Sequence, residues 1–214
     1  MKLSRAEFDA RYAAGTLKVA FIGMSNIGKS YTAMRLATKY DFSLIEVDKL
    51  IWENLGHDSM DDFAQWQGHP YTEGYAEREK HSIALETDAT RKALKTNKRN
   101  PMIDTTGSVI YTDEDVLKSL QSDYYVVYIE AMEDHLERLK TQYFKQPKPL
   151  VWAGHYKKIA GLTETESILE AYPKLLSSRV KAYARQANVT LPSTLILNPD
   201  VSIDDIFEAL KPAF

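Results

Sequence analysis

Short apolar runs alternate along this chain with longer stretches of helical period. Residues 19–22, 43–47, 101–104, 124–129 and 195–197 read as strands, the first an apolar run expected to be buried and the fourth rich in β-forming residues. Between them the spacing predicts helices over 31–40, where Ala33, Leu36, Ala37 and Tyr40 share a face, and over 48–55, 59–67, 75–100, 112–120, 131–143, 163–187 and 202–210. Ser4 to Glu7 is a capping box opening a short helix through Tyr12, with Gly15 as its stop. The stretch 75–100 holds neither glycine nor proline and is expected to be one helix. Five strands alternating with helices predict an α/β fold: a five-stranded parallel sheet with helices on both faces, in three layers. There is no internal repeat. A single domain over 1–214 is expected, with 1–15 as an N-terminal helical extension, 48–100 as a substrate-binding lobe, and 144–163, rich in turn formers and lysine, as a lid.

The most specific signal follows the first strand. Residues 23–30, Gly-Met-Ser-Asn-Ile-Gly-Lys-Ser, fit the phosphate-binding loop G-x-x-x-x-G-K-[ST] and lie between a strand and a helix. The glycines let the backbone turn its N–H groups inward, and the helix N-terminus adds partial positive charge, so a polyphosphate is the natural guest. Gly23, Ser25, Asn26, Ile27, Gly28, Lys29, Ser30 and Tyr31 are the candidate ATP-binding residues, with Lys29 reaching the β- and γ-phosphates and the Ser30 hydroxyl on Mg²⁺. The pattern predicts a P-loop NTPase fold. Asp104 ends a strand beside this loop, the place of an acid that holds Mg²⁺ through water; a strand-end turn residue is the bland reading.

From Lys18 to Asn198 the motif order resembles the shikimate kinase family. Glu46-Val47-Asp48 is similar to its D-x-D, which implies a metal role for Glu46 and an acceptor-facing, catalytic role for Asp48; a helix N-cap is the alternative for Asp48. Residues 74–79 resemble the neighbourhood of the arginine that clamps the substrate carboxylate, which implies Arg78, although Glu77 and Glu79 would equally pair it on a solvated helix face. Lys148-Pro149-Leu150-Val151 is similar to the lid motif R-P-L-L, and implies that Lys148 closes over the transferring group without an arginine's bidentate fork. Arg179 with Tyr183 resembles the second substrate-facing arginine; electrostatic capping of its helix is the alternative. Asp104-Thr105-Thr106-Gly107-Ser108 stands where the family carries Gly-Gly-Gly, so Thr106 and Gly107 become acceptor-pocket candidates and side-chain bulk replaces close backbone approach. The resemblance implies an ATP- and Mg²⁺-dependent kinase for a small hydroxylated acceptor, anionic if both arginines face it.

A net charge of -3 with mixed signs argues against a nucleic-acid or anionic-membrane partner. The absence of cysteine removes disulfides and thiol catalysis and fits a cytoplasmic setting. The five histidines lack metal-ligand spacing. Trp52, Trp66 and Trp152 read as packing residues, with Trp152 placed to cover a ligand. Three other readings compete. A GTPase would need its T-K-x-D after a later strand than 38–41; a nucleoside monophosphate kinase would need more arginines near the acceptor; a regulatory module would bind ATP without transfer.

Overall fold

The computed structural model describes residues 2–54, 60–145 and 150–213. Strands β1 (Val19–Gly23), β2 (Ser43–Glu46), β3 (Pro101–Asp104), β4 (Tyr125–Glu130) and β5 (Val189–Pro192) form one parallel sheet in the order β2-β3-β1-β4-β5. All of β1 is buried, and so is β4 up to Ile129, which is why these two strands are apolar at consecutive positions rather than alternating. The chain leaves β1 at the point where the sheet's order turns back on itself. There the carboxyl ends of β1, β3 and β4 open a crevice, the usual ligand site of such sheets.

Helices α1 (Arg5–Ala14), α2 (Lys29–Tyr40), α3 (Val47–Asn54), α4 (Met60–Gln67), α5 (Tyr75–Leu94), α6 (Glu114–Asp123), α7 (Glu133–Lys145), α8 (Glu164–Gln186), the single turn α9 (Ser193–Ile196) and α10 (Ile203–Leu210) surround the sheet. The box at Ser4 and Glu7 forms, and Gly15 closes α1 in the left-handed region at φ 77°. The N-terminal helix is fastened to the body by aromatics. Phe8 is buried with its ring 5.4 Å from that of Tyr125, and Tyr40 stacks on Phe207 of α10 at 3.9 Å.

Two expectations need correction. The helix foreseen over 75–100 stops at Leu94, because the chain must turn to enter β3; buried Asn100, at φ 38°, makes that turn, accepting from Leu17 N and donating to Tyr12 O. The last strand is Val189–Pro192, not 195–197. Val189 to Leu191 pair with Val127 to Ile129, Pro192 starts α9, and the apolar Ile196 and Leu197 instead lie under Gly28.

Candidate active site

The loop between β1 and α2 is shaped by its glycines. Gly23 (φ 142°) passes so close to β4 that a Cβ would sit 2.7 Å from Ile129 O, and Gly28 (φ 99°) starts α2 in a conformation that side chains resist. Ile27 is fully buried and pins the loop from below, while Asn26 (φ 62°) is exposed at its tip. Lys29 opens α2 and is only 6% exposed, its Nζ donating to Met24 O at 2.9 Å across the loop. Burial holds its pKa below the usual lysine value, against the pull of Asp104, Asp48 and Glu86.

Two cavities meet at this loop and share Asn26, Lys29 and Ser30. The outer one, about 560 Å³, is lined also by Gly28, Tyr31, Gln142, Lys145 and Leu197. The inner one, about 270 Å³, is walled by Ser25 and Lys29 on one side, by Asp48 and Ile51 of α3, and by Gln67, Ser82 and Glu86 opposite. Thr106, Gly107 and Ser108 form its floor, with Val151 at its margin. Asp48, in the first turn of α3, is half-buried and faces this space.

The segment after β3 shows why threonines stand there. Thr105 faces the sheet and donates through Oγ1 to Phe21 O at 2.7 Å, tying β3 to β1. Thr106 faces the cavity and donates to Glu86 Oε1, and Ser108 Oγ donates to Glu86 Oε2 at 2.5 Å. At Gly107 the backbone touches the phosphate-binding loop: a Cβ would lie 2.6 Å from Ser25 Oγ and 2.9 Å from Ser25 N. Gly107→Ala should therefore displace the loop, at a cost of ~1–3 kcal/mol in stability and ~10-fold or more in ATP affinity. Calorimetry with ATP and Mg²⁺ that finds wild-type affinity in this variant would refute that contact's importance.

Glu86 is the residue that the motif reading passed over. It is 3% exposed on the inner face of α5, one turn from Ser82, and its carboxyl is pushed up to about 7, chiefly by burial. Asp48 adds to the rise, whereas the hydroxyls of Ser108 and Thr106, and Arg179, oppose it. A signal was available in the sequence: the buried stripe of α5 runs Ser82, Glu86, Ala89, Thr90, Ala93, and an acid in an inward stripe of small and polar residues marks a lined cavity rather than a packed core.

Neither candidate arginine lines the inner cavity. Arg78 donates to Gln67 O, Thr72 Oγ1 and Glu73 O at 3.0–3.1 Å, which staples the α4–α5 connection and holds Gln67 in place. Arg179 is buried, donating to Gly107 O at 2.8 Å and Val151 O at 2.7 Å with its guanidinium over the Tyr111 ring. Tyr183, from the same helix, also donates to Gly107 O. The two residues support the cavity floor from behind. Lys148 lies outside the described residues.

Asp104 is buried, its Oδ1 has no hydrogen-bond partner, and burial raises its pKa while Lys29 and Ser30 lower it. Glu46 pairs in register with Asp104 at the end of β2 and is exposed. Among the described residues no group of three or more His, Cys, Asp or Glu could hold a metal alone. An orphaned carboxylate oxygen beside a hydroxyl suits Mg²⁺, which takes one or two protein ligands and completes its shell with phosphates and water.

Trp152 is 1% exposed and packs among Tyr143, Tyr156 and Tyr172, so it belongs to the core beneath the 150–163 segment rather than lying open over a ligand. That segment is tied to α5 through Glu79, which accepts from Trp152 N at 2.5 Å and Ala153 N at 3.1 Å.

Comparison with known proteins agrees with this architecture. The structure resembles shikimate kinase from Acinetobacter baumannii, solved in complex with shikimate, with TM-score 0.60 and 19% identity over 84% of this chain and 85% of that one. It also resembles shikimate kinases from Bacteroides thetaiotaomicron (TM-score 0.60, 16% identity, 91% and 94% covered) and Aquifex aeolicus (TM-score 0.54, 18% identity, 91% and 96% covered). At these identities the likeness speaks for the fold. No curated protein matches the sequence. The shikimate kinase family model, in contrast, matches residues 25–210, from inside the glycine loop through the last residue of α10. By that match over most of its length, the chain belongs to the shikimate kinase family.

Proposed function

We propose that the protein transfers the γ-phosphoryl group of ATP, with Mg²⁺, to a hydroxyl of a small molecule held in the inner cavity. The observation that carries this reading is the junction of two cavities at Lys29 and Ser30, with Asp48 facing the smaller one. Phosphoryl transfer asks a protein mainly for in-line positioning and charge neutralisation, and an acceptor beside Asp48 would lie across the loop from a triphosphate in the outer cleft. The amides of Ser25 to Gly28 and the Lys29 ammonium would hold the phosphates; Ser30 and Asp104, with Glu46 nearby, would hold Mg²⁺. The ion would neutralise charge on the phosphates. Asp48 would orient the acceptor hydroxyl and take its proton.

In this reading 48–100 is the acceptor lobe and 144–163 the lid that excludes water. The case for an anionic acceptor rests on Arg78 and Arg179, whose hydrogen bonds run to backbone carbonyls and Thr72, while Nε of buried Arg179 has no partner. Among the described residues no helix is long and apolar enough to cross a membrane, and a cytoplasmic setting is in keeping with the lack of cysteine.

The test is ADP release across a panel of hydroxylated metabolites, shikimate included, with Asp48→Asn as the variant. Asp48→Asn should lower kcat for transfer by ~10²-fold or more and leave ATP binding within a few-fold of wild type. Equal transfer by both proteins would remove Asp48 from the mechanism. The lid gives a second expectation: Glu79→Ala frees the backbone N–H groups of Trp152 and Ala153 and should raise ATP hydrolysis relative to transfer. An unchanged ratio of the two would show that this anchor does not control water access.

A further inference from the structure

The inner cavity is acidic. Asp48 and Glu86 both face it, and among its described lining residues Lys29 is the only cation. Lys29 lies at the boundary with the outer cleft, so on the kinase reading its charge belongs to the phosphates. Neither arginine lines the inner cavity: Arg179 donates from its two terminal nitrogens to Gly107 and Val151, its buried Nε without a partner, and Arg78 donates to the α4–α5 connection. A carboxylate guest would thus meet two acids and no arginine. Ser82 Oγ donates to Gln67 Oε1 at 2.8 Å and Gln67 Nε2 to Leu150 O at 2.9 Å, so these polar groups are engaged within the wall, and the two carboxyl groups are the strongest acceptors in the lining. Glu86 receives two hydroxyl donors, whereas a carboxylate offers about four lone-pair sites.

We propose that the acceptor is a cationic hydroxyl compound, an amino sugar, aminocyclitol or amino alcohol, whose ammonium group docks on Glu86 while the hydroxyl to be phosphorylated lies at Asp48. This rests on the kinase reading and names its substrate class. The bond formed is between the acceptor hydroxyl oxygen and the γ-phosphorus; the bond broken is that between the γ-phosphorus and the bridging oxygen, which leaves as ADP. The hydroxyl proton passes to Asp48 and then to solvent. Docking an ammonium on Glu86 requires its ionised form, although burial and Asp48 of α3 favour the protonated one; Arg179 of α8 and the hydroxyls of Thr106 and Ser108 pull the other way. A guest that stays an ammonium ion throughout therefore releases protons on binding below neutral pH and few at pH 8.5, whereas an amine already neutral at pH 8.5 takes one up.

The experiment pairs each of several amino sugars, aminocyclitols and amino alcohols with its neutral hydroxyl and carboxylate counterparts, scored by Lys29-dependent ADP release at pH 8. The amines should lead in kcat/KM by ~10-fold or more, and Glu86→Gln should erase that lead while changing the neutral polyols much less. Calorimetry without nucleotide, with guests whose amine stays protonated at pH 8.5, supplies the second readout: the heat of binding should vary with the buffer's ionisation enthalpy at pH 6.5 and hardly at pH 8.5. If neutral polyols or hydroxy acids lead, or Glu86→Gln spares the amines, the acceptor class is overturned and phosphoryl transfer stands. If no compound of any class raises ADP release, the kinase reading fails and this proposal with it.

Discussion

Replacing Lys29 by methionine is expected to lower kcat/KM for phosphoryl transfer by ~10³-fold or more, equivalent to about 4 kcal/mol of transition-state stabilisation. The size follows from where the ammonium lies: buried, bonded to Met24 O, and at the junction of the two cavities, where water does little to screen it. Loss of the charge also removes the cation that holds down the Asp104 pKa, so a stability loss of ~1–3 kcal/mol should accompany it as that carboxyl takes up a proton. Rates must therefore be measured well below the melting midpoint. Lys29→Arg separates the two effects, because it keeps the positive charge but offers a planar, bulkier head: it should melt close to wild type and recover little of the rate. Either variant with transfer within a few-fold of wild type would remove Lys29 from the chemistry.

The phosphate-binding loop was legible in the sequence because everything that makes it is local. Its glycines, its lysine and the strand and helix that flank it lie within a single βα unit, and the capping box at Ser4 is just as local. The sheet was legible for a related reason: apolar runs at β1 and β4 fix burial on both faces whatever their partners are. The fifth strand was misplaced because Leu195 to Leu197 are as apolar as Val189 to Leu191. What decides between them is pairing with β4 and the missing N–H of Pro192, and the first of these is a tertiary fact.

The acceptor side was less legible, and the reason is the reach of arginine. A guanidinium carries five donors on a long stem, and whether they meet a guest or a carbonyl depends on backbone that arrives from elsewhere. Arg179 lies 28 and 72 positions from the carbonyls of Val151 and Gly107 that it binds. Arg78 is bound to the α4–α5 connection that precedes it. Glu86 was hidden in the opposite way. On a helix that also carries Glu77, Arg78, Glu79, Lys80, Asp88, Arg91 and Lys92, it reads as one more acid on a solvated face until the phase of α5 turns it inward with Ser82 and Ala89.

That inward acid carries the largest expected effect on stability. Glu86 has its pKa raised to about 7 from an ordinary value of 4.5, so the folded protein holds a proton that the unfolded chain has released between those two pH values. Its contribution to stability is intact below about pH 4.5, falls as pH rises through the interval, and is lost above about pH 7. The wild type then carries a buried carboxylate at a penalty of about 3 kcal/mol. Glu86→Gln cannot ionise, and its amide can still accept from one of the Thr106 and Ser108 hydroxyls through its oxygen while donating to the other through its NH2. The variant should therefore melt within a degree or two of wild type at pH 5 and several degrees higher at pH 8, given ~2–4 °C per kcal/mol for a chain of this size. A melting difference that is the same at both pH values, or a variant less stable at pH 8, would mean that Glu86 is ionised without strain in the folded protein. The same residue would then make a poorer anchor for an ammonium group, because a carboxylate already at ease in its cavity gains less from a cation than one that burial has pushed towards protonation.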